Sequence, residues 1–168
     1  GTLLTILVTS LGACALTPQK EEAKKQSDVL LQIQLQEVKA QLSRPGTTPY
    51  KHIFLGSAQH SQSLVFQRDI VSMAERLKTI HPDTSTILLS NQLETQKLSF
   101  PFATRPNLDR VFASLSAWSQ SHPLSLTVLI STHGAPDVLS VNIGNQYFPA
   151  LRSTQLKAWL DQLHSRTK

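Results

Sequence analysis

The sequence contains very little cysteine, since Cys14 is the only one among its 168 residues. A single thiol excludes a disulfide within the chain and a zinc site built from several cysteines. Five of the six histidines lack a paired metal-ligand spacing and are predicted to lie at the surface or at helix ends: His52, His60, His81, His122 and His164. We therefore predict no metal and no other cofactor.

The charged residues also lack a pattern, since no basic stripe with interleaved aromatic residues runs through the sequence. Lysine and arginine number 16 against 11 acidic residues, which gives a net charge of +5. The cations are scattered, and where Lys20, Lys24 and Lys25 come close together they alternate with Glu21 and Glu22. We therefore predict no nucleic-acid partner. A hydrophobic content of 40% and a charged content of 16% are typical of an ordinary folded domain.

The apolar run near the start, residues 3–8, is too short to cross a bilayer as a helix but has the size of a signal-peptide hydrophobic region. Residues 11–14, Leu-Gly-Ala-Cys, resemble the bacterial lipobox, in which the cysteine receives a lipid. The resemblance implies a lipid anchor on Cys14, and its acyl chains would hold the protein firmly at a membrane. No charged residue precedes the run, so we interpret the start as incomplete.

The residue after this motif bears on location. Ala15 is not the aspartate that, in signals of this kind, retains a lipoprotein at the inner membrane. The expected location is therefore the cell envelope, lipid-anchored and periplasm-facing, with the outer membrane favoured. The alternative is that residues 3–16 form a buried strand or helix in which Cys14 is a small core residue. The polar segment that follows favours the signal.

A polar segment, residues 17–41, carries apolar residues near helical spacing: Val29, Leu30, Ile33, Val38 and Leu42. This pattern predicts an amphipathic helix, and the prolines and glycine of residues 43–49 predict a linker after it. The helix either forms a stalk or docks on the domain. The predicted organisation is a signal peptide over 1–14, a tail and linker over 15–49 and a folded domain over 50–168.

The folded part alternates strands and helices. The predicted order is a strand over 52–56, a helix over 62–80, a strand over 86–91, a helix over 106–118, a strand over 126–131, a hairpin over 138–148 and a helix over 154–163. Such an order predicts an α/β fold with a parallel sheet and right-handed crossovers.

The third predicted strand runs directly into Thr132, His133 and Gly134. Open α/β sheets bind their ligands at the carboxyl ends of the strands, and a histidine there is a candidate general base. The alternative is a strand-to-loop turn in which His133 is merely solvated. We interpret the hydroxyls of Ser131 and Thr132 as strand and turn hydroxyls.

Several stretches occur in a suggestive order across residues 50–163. They are residues 64–69 (LVFQRD), 88–91 (LLSN), 103–108 (ATRPNL), 130–137 (ISTHGAPD) and 156–161 (LKAWLD). In this order the chain resembles the legumain-like cysteine peptidases, and in particular their compact bacterial lipoprotein members with a caspase-like fold.

The resemblance implies a three-layer, caspase-like α/β sandwich with a mostly parallel sheet. It also implies a Cys-His dyad in which His133 is the base and the backbone N–H of Gly134 helps to bind the oxyanion. In the family the cysteine follows the next parallel strand, and this sequence stops at Lys168 before that strand. Cys14 lies in the lipobox and is not expected to replace it. The sheet is therefore expected to miss its later strands.

The resemblance thus implies the front part of a membrane-anchored cysteine peptidase that acts on a peptide or protein and is inactive alone. Asp137 is a weaker candidate, either to orient His133 or to bind a positive group of the substrate. The alternatives are a non-catalytic peptide- or protein-binding module on the same scaffold, and a structural envelope lipoprotein that shares only the architecture. The strand of His133 is expected at an exposed sheet edge, which a partner or a second copy would cover.

Overall fold

The computed structural model describes residues 18–46, 48–93 and 97–163, so Cys14 and its predicted lipid anchor lie outside the described residues. The helices are α1 Pro18–Leu42, α2 Leu64–Ile80, α3 Arg105–Ser121 and α4 Ser153–Asp161. The strands are β1 Lys51–Ala58, β2 Ser85–Ser90, β3 Leu124–Ser131, β4 Gly134–Ala135, β5 Val138–Ile143 and β6 Gln146–Arg152. The predicted alternation of strands and helices is confirmed.

Two sheets organise the described chain. The first has the order β2-β1-β3, with β1 parallel to both neighbours. At its centre Leu55 lies opposite Ile87 on one side and Val128 on the other. The second sheet is antiparallel, with the order β4-β5-β6. The predicted α/β class with a parallel sheet is confirmed, and the predicted hairpin is β5-β6.

Helices pack on both faces of the parallel sheet because side chains alternate along β1. Ile53 and Leu55 belong to the main core, which they share with residues of α1 and α3. Gly56 and Ala58 face α2 instead, and Ala58 packs with Ile70. A Cβ on Gly56 would lie 2.8 Å from the Cβ of Ile70, so the glycine allows α2 to approach the strand closely.

The amino-terminal helix α1 docks on the domain. Its buried residues are Ser27, Leu31, Val38 and Leu42, whereas Val29 and Ile33, which the apolar pattern favoured, are 59% and 45% exposed. Polar contacts fix its direction: Ser27 accepts a bond from the N–H of Phe102, Gln34 bonds Leu88, and Gln41 bonds Ser85. These partners run backwards along β2, so α1 is antiparallel to the strands.

The backbone groups at the two outer edges of the parallel sheet differ in their hydrogen-bond partners. At β2, the side-chain amide of Gln34 donates to the carbonyl of Leu88 at 3.1 Å and accepts from its N–H at 2.9 Å. Gln34 thus satisfies the two backbone groups of Leu88 that a further strand would pair with, which disfavours strand addition at this edge. Within the described residues β3 pairs with β1 alone. The expected exposed edge at the strand of His133 is confirmed.

The apolar faces of α2 and α4 are narrower than predicted. On α2 the buried residues are Phe66, Ile70 and Ala74, and the more exposed apolar residues are Leu64, Val65, Met73 and Ile80. On α4 Trp159 is 2% exposed, but Leu160 is 42% exposed. Each helix contacts the rest of the domain along one stripe, so apolar residues beside that stripe stay in solvent. Of the helices in the described part, none is long and apolar enough to cross a membrane.

Replacing a docking residue of α1 should lower the free energy of unfolding. We expect Leu31→Ala to cost about 2–5 kcal/mol, because Leu31 is fully buried and its removal leaves a cavity. Val29→Ala on the exposed side of the same helix should change stability by less than about 0.5 kcal/mol. Urea unfolding followed by circular dichroism measures both. Equal effects of the two substitutions would contradict the docking of α1.

Candidate functional site

Polar loops from all three parallel strands meet at the carboxyl edge of the sheet. Gln59 and His60 follow β1, Asn91 follows β2, and His133 follows β3. Hydrogen bonds continue across the ends of the strands: the N–H of Gln59 donates to the carbonyl of Ser131 at 3.1 Å, and that of Asn91 donates to Ala58 at 2.8 Å. The loops therefore stay side by side beyond the sheet.

Two histidines come together at this edge. The ring centroids of His60 and His133 are 4.6 Å apart, and the rings are nearly perpendicular, at 82°. His133 is exposed to solvent, whereas His60 is only 5% exposed. His133 lies at the predicted edge, but the prediction that His60 lies at the surface or at a helix end is wrong. His60 follows an apolar strand just as His133 does, and this shared position is the signal in the sequence.

Phe66 and Tyr147 bring two more rings to the pair. Phe66, in the first turn of α2, lies 4.9 Å from His133 and 5.5 Å from His60 between centroids. Tyr147 of β6 lies farther away, 6.5 Å from His60, and is 63% exposed. His60, Phe66 and His133 form what we call the ring cluster. His133 thus has two flat side chains against it and one side open to solvent.

The antiparallel hairpin holds both histidine loops. Asn142 of β5 is fully buried; its Oδ1 accepts a bond from the N–H of Ser61 at 3.0 Å, and its own N–H donates to Gln59 at 3.0 Å. Two residues earlier, the N–H of Ser140 donates to the carbonyl of His133 at 2.9 Å. Strand β5 therefore holds both the loop that carries His60 and the backbone of His133.

His60 favours its neutral form. Burial lowers the pKa of His60 first, and charge on His133 lowers it further. The Nδ1 atom accepts a bond from the N–H of Gln62 at 3.4 Å, which places the ring proton on Nε2. Of the two rings, the exposed one is the better placed to take up a proton from a reacting group.

The backbone of Gly134 points its N–H away from the hairpin. Bonds alternate along an antiparallel ladder, and the bond from Ser140 to His133 marks that pair as hydrogen-bonded. Gly134, opposite Leu139, is the next pair and is of the other type. Its N–H is therefore directed to the side of β4 opposite β5, as a donor to an oxyanion would need to be.

Asp137 contacts the start of α4. Its φ of +62° lies in the left-handed region, in the turn after Pro136. Its carboxylate accepts bonds from the hydroxyl and the N–H of Ser153 and lies 3.9 Å from Arg152. The hydroxyl of Ser153 lowers the pKa of Asp137, and the N–H of Ser153 and Arg152 act in the same direction. These contacts turn the carboxylate towards α4.

The hydroxyls beside His133 have protein partners. Ser131 donates to a carboxylate oxygen of Asp69 on α2 at 2.6 Å. Thr132 donates to the carbonyl of Ser140 at 2.7 Å. Both bonds hold the end of β3 against its neighbours, as expected for strand and turn hydroxyls.

The remaining described histidines lie at the opposite end of the sheet. His81 and His122 follow the last residues of α2 and α3, and each N–H bonds a carbonyl of its helix, so the predicted helix-end positions are confirmed for these two. His52 stacks on His81 with centroids 4.2 Å apart. Among the described residues, no group of three or more histidine, cysteine or acidic side chains is arranged to hold a metal ion.

No protein-family model, curated protein or solved structure gives a significant match to the chain.

The lowered pKa of His60 predicts a pH-dependent stability. The unfolded chain binds the proton more tightly than the folded one, so stability is fully present above the ordinary pKa of 6.5 and is lost as the pH falls below it. The titratable groups that face His60 are His133 and Tyr147. We expect His60→Phe to reduce the loss of unfolding free energy between pH 7 and pH 5.

Urea unfolding at a series of pH values measures this effect, with His122→Phe as the control for loss of a histidine far from the site. The slope should not vanish in His60→Phe, because burial and His81 also lower the pKa of His52. A slope identical to that of the unmodified chain would contradict the buried, neutral state of His60.

Proposed function

We propose that this chain is the front part of a membrane-anchored cysteine peptidase with a caspase-like fold, in which His133 is the general base of a Cys-His dyad. The observation that carries the proposal is the position of His133. It is exposed at the carboxyl end of β3, and β3 is the edge strand of the parallel sheet.

The open edge of β3 suits one further parallel strand. Its sequence, LSLTVLIS, contains no charge and no proline, the usual means by which an edge strand resists pairing. A parallel neighbour would lie about 4.8 Å away and would end at the same edge as the three described strands. A cysteine directly after such a strand would stand beside His133, which is where the dyad needs its nucleophile.

The chemistry then follows from the described residues. His133 takes the proton from the thiol, whose unperturbed pKa is about 8.5, and the thiolate attacks the scissile carbonyl. The N–H of Gly134 donates to the oxyanion that forms. As the tetrahedral intermediate collapses, His133 gives the proton to the leaving amine, and water later releases the acyl group from the sulfur with His133 as base. The dyad requires such a thiol beside His133 for cleavage.

The anchor completes this proposal. A lipid on Cys14 would attach the protein to a membrane of the cell envelope, facing the periplasm and favouring the outer membrane. Its substrates would then be peptides or proteins of that compartment.

A non-catalytic binding module is the second candidate, and the same edge favours it. An extended peptide can add to an exposed strand through main-chain hydrogen bonds, without any nucleophile. The uncharged edge of β3 is suited to this use, either by a partner or by a second copy of the chain.

Peptide hydrolysis tests the dyad. We expect the 168-residue chain to cleave a mixed peptide library no faster than buffer, and the chain extended by its own downstream coding sequence to cleave it. In the extended chain His133→Ala should lower kcat/KM by about 10²–10⁴-fold, the usual contribution of a general base. The control His122→Ala should retain the rate.

Two results would decide against a peptidase that uses His133 in a Cys-His dyad. Cleavage by the 168-residue chain that survives His133→Ala would contradict the assignment of the dyad. A stop codon directly after the codon of Lys168 would favour the binding module, because the gene would then encode no further strand.

Lipidation is tested separately. We expect mass spectrometry of the protein expressed from its complete natural start to show diacylglycerol on Cys14, and Cys14→Ser to release the protein from the membrane fraction. An unmodified Cys14 would contradict the lipid anchor without bearing on the dyad.

A further inference from the structure

The side chain of His60 has no task in the dyad, yet it is buried at the proposed catalytic edge. It is 5% exposed and lies against His133 at 4.6 Å between ring centroids. A buried imidazole costs desolvation free energy, and a purely apolar residue would fill the space more cheaply. The position therefore calls for an explanation beyond packing.

The geometry of the ring cluster supplies one. His60 and Phe66 both meet His133 nearly at right angles, at 82° and 81°, with centroid distances of 4.6 Å and 4.9 Å. Two such walls restrict rotation of an exposed imidazole about its side-chain bonds, because a rotated ring would collide with one of them. A general base has to hold its acceptor nitrogen in one place for the proton transfer.

Hydrogen bonds hold the backbone on both sides of His60. The residues on either side of it, Gln59 and Ser61, are both bonded to Asn142, and the N–H of Gln62 bonds its Nδ1. His133 is bonded to Ser140 on the same strand. The loop of His60 and the backbone of His133 are thus both bonded to β5, through Asn142 and Ser140, which are two residues apart.

The protonation state of His60 fits the same role. Burial first, and the nearby His133 second, lower the pKa of His60, and both effects favour its neutral form. A neutral His60 does not repel a protonated His133 strongly, and it does not compete with His133 for the proton of the thiol.

We infer that His60 is a positioning residue, a flat side chain that fixes the ring orientation of His133. This inference rests on the proposed function for its catalytic meaning. Its structural content can be measured on the 168-residue chain without any activity.

The experiment compares three variants of His60 by NMR. His60→Phe keeps a flat ring, His60→Leu keeps most of the volume without one, and His60→Ala removes both. We expect one dominant side-chain rotamer of His133, seen in its three-bond couplings and ring contacts, in the unmodified chain and in His60→Phe. In His60→Leu and His60→Ala the couplings should move towards rotamer averages. His81→Leu, at the far end of α2, is the control, and the indole signal of Trp159 reports the fold.

The outcomes separate the inference from the proposed function. A single His133 rotamer in His60→Leu, or averaging in His60→Phe as large as in His60→Leu, would overturn the positioning role. In the extended chain, His60→Leu should lower kcat by on the order of 10–100-fold with KM unchanged, and His60→Phe should restore it. A rise in KM with kcat unchanged would also overturn the role. Absence of any His133-dependent cleavage would instead overturn the dyad, while the rotamer result would stand.

Discussion

The candidate site depends on the hydrogen bonds of Asn142. Its side chain and its backbone bond two residues of the loop after β1, and its strand also carries the N–H that bonds His133. The side chain is fully buried, so an unpaired amide there would cost about 1–3 kcal/mol, and the paired one specifies a single arrangement. The amide of Asn142 also donates to Gly144, whose φ of +57° allows the tight turn of the hairpin. One residue therefore links the turn of the hairpin, the loop of His60 and the site.

The unequal edges of the parallel sheet follow from a second set of polar contacts. Gln34 satisfies both backbone groups of Leu88, and a helix with such a residue at that position closes the edge of β2. Along β3 no helix of the described chain makes the corresponding pairing, and Thr127 in its middle is exposed. Within the described residues, Gln34 of α1 covers the outer side of β2 at Leu88, whereas the outer side of β3, the strand that ends near His133, has no such cover. An added strand or peptide at this edge would pair with the outward backbone groups of β3.

The sequence predicted local features well and long-range neighbours poorly. Periodicity located the three parallel strands and the hairpin, since each depends on side chains close together in the chain. It did not predict the contact between the rings of His60 and His133. That contact requires β1 and β3 to be neighbours, and strand order is not a local property. The apolar pattern of α1 predicted its buried face only in part, since Val38 and Leu42 are buried but Val29 and Ile33 are exposed. The docked face also contains Ser27 and Gln34, which bond backbone groups of the domain, and an apolar periodicity does not include polar residues.

The direction of α1 joins the proposed anchor to the proposed site. Ser27 bonds the segment that follows β2, whereas Gln41 bonds the first residue of β2, so the start of α1 lies towards the carboxyl edge of the sheet. Cys14 precedes Pro18 by four residues, which span at most about 14 Å when extended. A lipid on Cys14 would thus enter the membrane from the end of the domain that carries His133.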